Sequence, residues 1–307
     1  MANITAALGK ELRELTGSGM MDCKKALQEV EGDIDKAVDY LREKGILKAQ
    51  KKAGRIAAEG LVRPAFGEGG KSAALIEINS ETDFVAKNEE FIEFVERTAQ
   101  MALLKGHLAM DEFMDEYFPD FDGQQVKDVL TAKIAKIGEN LNIRRYQKLE
   151  EPGVVYTGYT HGGGRIGVIV GIKTEATAEE IEQCGKDVAM QVASMNPKFV
   201  DESSVDPEYI ESEKKIAAEQ LLNEGKPAEM IDKIVPGKIK KILKEVCLVE
   251  QPFVKNSDIT VKQYVDECAK AIGKPMQVVS MLRYEVGEGI EKKQEDFAAE
   301  VAAQMNK

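Results

Sequence analysis

Histidine is nearly missing from this chain. Two occur in 307 residues, His107 and His161, and they support neither a Ser-His-Asp order nor a metal-spaced histidine cluster. The four cysteines, Cys23, Cys184, Cys247 and Cys268, are scattered. No pair has CxxC spacing, so neither a zinc knuckle nor a dithiol redox site is encoded. No apolar run approaches the roughly 20 residues of a membrane span. No secretory signal opens the chain, because Met1-Ala2-Asn3-Ile4 leads straight into a helix pattern. Positive charge is in deficit, with 42 Lys/Arg against 54 Asp/Glu and a formal charge of -12. That argues against direct nucleic-acid binding, which relies on clustered Lys and Arg, and leaves a protein partner open. The expectation is a soluble, cytoplasmic chain with no membrane contact, in a reducing compartment.

What is present is enough apolar residue for real cores, 43% of the chain, at a length that favours two or more modules. Charge is uneven. Residues 1–55 carry 11 Lys/Arg against 9 Asp/Glu, and the remainder carries 31 against 45. Lys48, Lys51, Lys52 and Arg55 cluster where the first module ends and read as a solvated linker.

Residues 1–54 read as three short helices. The first places Ile4, Leu8, Leu12 and Leu15 on one face and ends at Gly17-Ser18-Gly19. The second takes Asp22 as its N-cap and carries Cys23, Ala26, Leu27 and Val30. The third starts at Asp33, carries Ile34, Ala37, Val38 and Leu41, and stops at Gly45.

The rest contains an internal duplication. The run from Gly69 to Ile78 aligns with Gly163 to Ile172 at an offset of 94, and Ile137–Ile143 aligns with Ile272–Val278 at an offset of 135. Each copy reads as strand, strand, helix, then helix and a final strand. A hairpin followed by helices gives an antiparallel sheet with helices on one face, so the fold class is α+β. The difference between the offsets, 41 residues, locates an insertion at roughly 200–246, read as a helical hairpin turning at Asn223–Pro227. Its apolar surface serves either its own packing or self-association. A last amphipathic helix is expected over Gln294–Met305. The organisation is therefore 1–54, 55–150, 151–199 with 247–286, the insertion 200–246, and a C-terminal module 287–307.

Two glycine patterns look like nucleotide sites. Gly162-Gly163-Gly164-Arg165-Ile166-Gly167 fits GxGxxG but precedes a strand, where the dinucleotide fingerprint must follow one and open a helix. It reads as a hairpin turn. Gly70-Lys71-Ser72 resembles the end of a Walker A loop, but the required first glycine falls at Ala65 and a strand follows. No cofactor and no catalytic residue are expected.

The most informative stretch is Asn79-Ser80-Glu81-Thr82-Asp83-Phe84-Val85-Ala86-Lys87-Asn88. It sets Phe84 among polar residues at a strand-to-helix turn. A phenylalanine there either caps the chain's own core or is a wedge offered to a partner. The duplicate turn, Lys173–Thr177, has no aromatic, so the repeated architecture does not demand one.

Thr82-Asp83-Phe84-Val85 resembles the signature of the elongation factor Ts family, guanine-nucleotide exchange factors for elongation factor Tu. Thr16–Leu27, the Arg165-Ile166-Gly167-Val168 context and Tyr284–Lys292 match the family in order, so the resemblance spans nearly the whole chain. The three N-terminal helices resemble the ubiquitin-associated (UBA) fold that opens this family and also unrelated binding proteins. A UBA-type adaptor is therefore the alternative function. The resemblance implies that Thr82, Asp83, Phe84 and Val85 enter the GTPase and disturb its Mg²⁺ site. It implies further partner contacts at Lys10, Arg13, Met20, Met21, Ile137, Gly138 and His161, and a homodimer through the hairpin insertion. Each has a plainer reading. Lys10 and Arg13 fit a solvated helix face, Met20 and Met21 a loop plugging the three-helix core, Gly138 a helix C-cap, and His161 a polar turn. Gly9 departs from the family, which has a larger apolar residue there, and glycine costs about 1 kcal/mol of helix propensity.

Overall fold

The computed structural model describes residues 5–16, 18–119 and 123–291, so the helix expected over Gln294–Met305 lies outside the described residues. Three helices come first, α1 (Ala6–Thr16), α2 (Met20–Glu29) and α3 (Ile34–Lys52). The first repeat follows as strands β1 (Glu59–Phe66) and β2 (Ala73–Ser80), helices α4 (Asp83–Ala86), α5 (Glu89–Lys105), α6 (Met110–Asp115) and α7 (Val126–Ile137), and strand β3 (Asn142–Leu149). The second runs through β4 (Val154–His161), β5 (Ile166–Thr174) and α8 (Ala178–Met195). A hairpin of α9 (Pro207–Asn223) and α10 (Ala228–Val246) interrupts it. It resumes with the short strands β6 (Pro252–Phe253) and β7 (Asn256–Thr260), then α11 (Val261–Ile272) and β8 (Met276–Glu285).

The N-terminal helices correct three sequence expectations. Helix α2 begins at Met20, capped by the extended backbone of Gly19, and Asp22 lies inside its first turn. A carboxylate there favours the positive end of the helix dipole, and this one also pairs with Lys48 (3.1 Å). Helix α3 is capped by Asp33, which accepts from the Lys36 N–H (3.1 Å), but it runs on through Gly45 to Lys52. Gly45 is buried, and a Cβ there would sit 3.6 Å from that of Ala135 on α7. It is a small residue at a helix crossing, not a stop. The basic cluster is accordingly no linker. Besides the Lys48 pair, Lys52 donates to the Gly138 carbonyl (2.7 Å) and Arg55 reaches Glu81 (3.5 Å).

The two repeats form separate three-stranded antiparallel sheets, β1-β2-β3 and β4-β5-β8. Their registers match in detail. In the first sheet the pairing slips between Glu77 and Ile78, which face Arg145 and Ile143. In the second it slips between Gly171 and Ile172, which face Ser280 and Val278. The offsets 94 and 135 carry one bulge onto the other.

Alternation along the strands builds the layers. From β2, Ala74, Ile76 and Ile78 enter a core that includes Phe91, Phe94 and Val129 of the helices. From β5, Val168, Val170 and Ile172 meet Val188, Val192 and Val265. The opposite faces pack on each other, joining Val62 and Leu75 to Tyr156, Ile169 and Tyr284. Helices, sheet, sheet and helices follow in order. Gly167 permits the close approach of the sheets, since a Cβ there would lie 2.5 Å from the Val62 side chain. Covered on both faces, every residue of β2 is buried. The hairpin of α9 and α10 buries Ala217, Leu221, Ile231 and Ile239 and leaves Ile216, Leu222 and Met230 exposed.

On the sheet-to-sheet side of β2 lies Glu77, fully buried. Its Oε1 accepts from Asn79 Nδ2 (3.0 Å), an Arg144 nitrogen (3.0 Å) and the Gly287 N–H (2.8 Å), and its Oε2 accepts from Arg145 Nε (2.6 Å). Burial opposes ionisation of Glu77. The hydrogen bonds from Gly287, Asn79 and the two arginines outweigh it and hold the carboxyl below its ordinary range.

These contacts set the stability of the fold at two places. Glu77→Ala takes the shared acceptor from the half-buried Arg144 and Arg145 and from the Gly287 N–H and is expected to cost about 1–3 kcal/mol, read as the shift of the denaturant midpoint at pH 7. Because the folded pKa is depressed, the stabilisation is complete above the unfolded value of about 4.3 and is lost as pH falls through the folded pKa. Glu77→Gln should therefore lose less stability than the parent between about pH 5 and pH 3. Gly9 lies inside α1, and a Cβ there would meet Met20 Sδ at an ordinary 3.5 Å. Gly9→Ala is expected to raise stability by about 0.5–1 kcal/mol, with a higher thermal midpoint as the check.

Candidate functional site

Strand β2 ends at Ser80, and three residues later the chain is helical again. The turn is built by caps. The Thr82 hydroxyl accepts from the Val85 N–H (3.5 Å), starting the single turn α4. Asn88 accepts from the N–H groups of Glu90 (2.9 Å) and Phe91 (3.3 Å), starting α5. Between the caps, Val85 points into the core of the first repeat and Ala86 packs against it, while Phe84 faces outward at 78% exposure. Of the two sequence readings for Phe84, the structure excludes core capping. The Lys87 ammonium lies 6.0 Å from the Phe84 ring centre and pairs with Asp83 (2.6 Å). This hydrogen bond holds the Asp83 carboxyl below the usual range, with a smaller contribution from the positive charge of Arg165.

A second turn lies against the first. Helix α7 ends at Ile137, and Gly138 takes the left-handed conformation (φ 88°) that lets its N–H bond the Ile134 carbonyl (3.0 Å). Gly138 is thus a helix C-cap, exposed, and Ile137 is half-buried. The next residue, Glu139, accepts from the N–H groups of Glu81 (3.0 Å) and Thr82 (3.0 Å) and from the Thr82 hydroxyl (2.6 Å). Glu81 reciprocates by accepting the Asn140 N–H (2.6 Å). The Asn140 side chain in turn donates to the carbonyl of Arg55 (2.8 Å). Sequence spacing did not single out Glu139. Its signal is only that an acidic residue follows the glycine cap in one repeat, where Lys274 follows Gly273 in the other.

The glycine run forms the turn between β4 and β5. Gly162, Gly163 and Gly164 all have positive φ, so the GxGxxG pattern is a hairpin, as its place before a strand predicted. The hairpin leans on the first sheet, where the Val62 N–H bonds the Gly164 carbonyl (2.8 Å) and Arg165 pairs with Glu59 (2.8 Å). Glu59 lies opposite Ser80 in the strand register, so the hairpin adjoins the base of the Phe84 turn. His161 is exposed at the end of β4, with Nδ1 3.0 Å from the Tyr159 hydroxyl. His107 is exposed in the loop after α5.

The N-terminal candidates form a separate group. Lys10, Arg13 and Met20 line a shallow groove with Glu14 and Lys136. Met21 is 76% exposed. Both methionines lie in the first turn of α2 rather than in a loop, and neither plugs the core formed by Leu12, Cys23, Leu27 and Ala37. The structure thus joins Thr82–Val85 to Ile137–Gly138 through Glu139, sets the His161 hairpin beside them, and places Lys10, Arg13 and Met20 next to Lys136. Among the described residues, no group of three or more His, Cys, Asp or Glu could hold a metal ion, and no helix is long and apolar enough to cross a membrane.

Because Phe84 is exposed and Val85 buried, their substitutions should separate. Phe84→Ala is expected to change stability by less than about 0.5 kcal/mol, whereas Val85→Ala should cost about 1–2 kcal/mol. Paired denaturant titrations check this.

Comparison with known proteins places the whole chain in one family. Residues 81–288 match a family model described as elongation factor TS. The chain is 55% identical over 305 residues to the elongation factor Ts of Clostridioides difficile (strain 630), covering 99% of this chain and all of that protein. It is 53% identical over 309 residues to that of a Nitratiruptor species, covering 98% and 99%. It is 50% identical over 303 residues to that of Clostridium novyi (strain NT), covering 99% of each. With the family model matched over more than half its length and relatives aligned from end to end, the chain belongs to the elongation factor Ts family.

Proposed function

We propose that this protein accelerates GDP release from elongation factor Tu in the cytoplasm by inserting the Thr82–Val85 turn beside the GTPase's nucleotide site. The observation that carries the reading is Phe84, a large apolar side chain held out of the core at 78% exposure by a turn with two side-chain caps. Burying such a ring in a partner yields about 1.5–3 kcal/mol, and a turn already shaped for insertion loses little conformational freedom on docking.

In this reading Phe84 supplies apolar insertion and Asp83 a charged contact. Thr82 and Val85 hold the turn. GDP on such a GTPase depends on Mg²⁺, which demands near-octahedral oxygen ligands and tolerates displacement poorly. Shifting the elements that hold the ion weakens GDP. Linkage then requires GDP to weaken factor binding by the same ratio, and a coupling of about 3 kcal/mol corresponds to roughly 150-fold. GTP captures the emptied site. The factor performs no chemistry and needs no cofactor of its own. Lys10, Arg13, Met20 and Met21 supply anchoring area on the 1–54 module, and Ile137, Gly138 and His161 supply contacts around the wedge on the duplicated core of 55–150 and of 151–199 with 247–286.

The test follows fluorescent GDP leaving elongation factor Tu in a stopped-flow instrument. The unmutated chain is expected to accelerate release by orders of magnitude, and Phe84→Ala to lose most of that at unchanged stability. No acceleration by the unmutated chain rejects the exchange function. Full acceleration by Phe84→Ala rejects the wedge assignment alone.

A further inference from the structure

We infer that Glu139 is a positioning residue for exchange: its carboxylate fixes the backbone from which Phe84 projects. The inference rests on the exchange reading and extends it to a residue that never has to touch the partner.

Three donors converge on this one side chain, the N–H groups of Glu81 and Thr82 and the Thr82 hydroxyl, at 3.0, 3.0 and 2.6 Å. Hydrogen bonds to a carboxylate are about twice as strong as those between neutral groups, and these are half-buried. They grip the two residues that immediately precede α4. Phe84 has little packing of its own to set its direction, so the direction comes from the backbone beneath it. Glu81 closes the contact from the other side through the Asn140 N–H (2.6 Å). The two turns therefore hold each other by exchanged carboxylates.

The second repeat joins the corresponding turns differently, by a side-chain ion pair. The offset of 135 carries Glu139 onto Lys274, and Gly138 onto Gly273. Gly273 has the same left-handed cap, φ 76° against 88°, so the helix stops identically. Lys274 instead pairs with Glu180 on α8 (2.6 Å), and the corresponding turn enters α8 through the ordinary capping box of Thr177 and Glu180. A carboxylate after the glycine cap occurs in the repeat that carries the aromatic wedge. Its role is preorganisation: the bound shape of the turn exists before the partner arrives, so less ordering is needed at the moment of insertion.

The experiment uses the full chain and stopped-flow release of fluorescent GDP from elongation factor Tu over a range of factor concentrations. Glu139→Ala is expected to lower the limiting release rate about tenfold, the scale of one lost charge-assisted hydrogen bond. The concentration for half-maximal rate should stay within about twofold, because anchoring by residues 1–54 is untouched. Glu139→Gln, which keeps an acceptor oxygen, should fall between. Lys274→Ala, at the equivalent place in the other repeat, should match the parent. In the free protein, the amides of Glu81 and Thr82 should exchange hydrogen faster in Glu139→Ala while those of β2 remain protected. A parent-like limiting rate in Glu139→Ala, or an equal loss in Lys274→Ala, overturns the inference. An unmutated chain that fails to accelerate release rejects the exchange reading instead. Amide exchange in the free protein still tests the clasp in that case.

Discussion

A buried carboxylate holds the two halves of this molecule in register. Glu77 lies on the face of β2 that packs against the second sheet, and its oxygens take up Arg144 and Arg145 from β3 and the Gly287 N–H just beyond β8. An unpaired charge there would be prohibitive, and the full set of donors makes it tolerable. The interaction is specific in a way the surrounding Val, Leu and Ile contacts are not. Apolar sheets slide at modest cost, whereas a carboxylate fixed by three donors of its own sheet and bonded to the Gly287 N–H accepts one position of the second half. The equivalent position in the second repeat is Gly171, opposite Ser280. One repeat therefore supplies the charge, and the segment after the other's last strand supplies a backbone donor at Gly287.

From that anchor the functional geometry follows along a single strand. Asn79, two residues beyond Glu77, donates to it and to the Glu59 carbonyl (3.1 Å). Ser80 ends the strand, its hydroxyl donating to the Thr82 carbonyl (3.0 Å). Phe84 therefore stands at the end of the central, doubly covered strand of its sheet. Such a strand belongs to the last part of a domain to open. In the proposed function, a wedge that displaces part of a partner has to be stiffer than what it displaces. A phenylalanine on a free loop would bury the same area but would fold back or give way.

Much of this was legible in the chain. The duplication, its two offsets, the helix positions and the turn before α5 all leave periodic or repeated patterns, because they arise from local propensity and from burial on one face. The exposure of Phe84 was hinted at by the missing aromatic in the duplicate turn. What was illegible depends on contacts between distant segments. Gly45 looks like a helix stop until Ala135 is seen against it. Lys52 and Arg55 look like linker charges until Gly138 and Glu81 meet them. Glu77 sits in an apolar run with nothing to mark it as buried and paired, since Arg144 and Arg145 lie 67 and 68 residues away. Glu139 follows a glycine cap that looks complete without it.

The comparison between repeats separates what the fold needs from what has been added to one copy. Both repeats need the bulge, the glycine caps at Gly138 and Gly273, and two cores on opposite outer faces. Only the first carries Phe84, the exchanged carboxylates of Glu81 and Glu139, and the buried Glu77. These additions lie along one path, from the sheet interface through β2 to the exposed ring. Each stiffens the next, since Glu77 fixes the strand, the strand fixes Ser80, and the clasp fixes Thr82. The second repeat contributes the surface against which that path is braced, including the Arg165 hairpin at its base. A chain with two copies can use one as scaffold and free the other to hold an apolar side chain in water, a position that adds nothing to the core of the folded chain and that, in the proposed function, serves the partner.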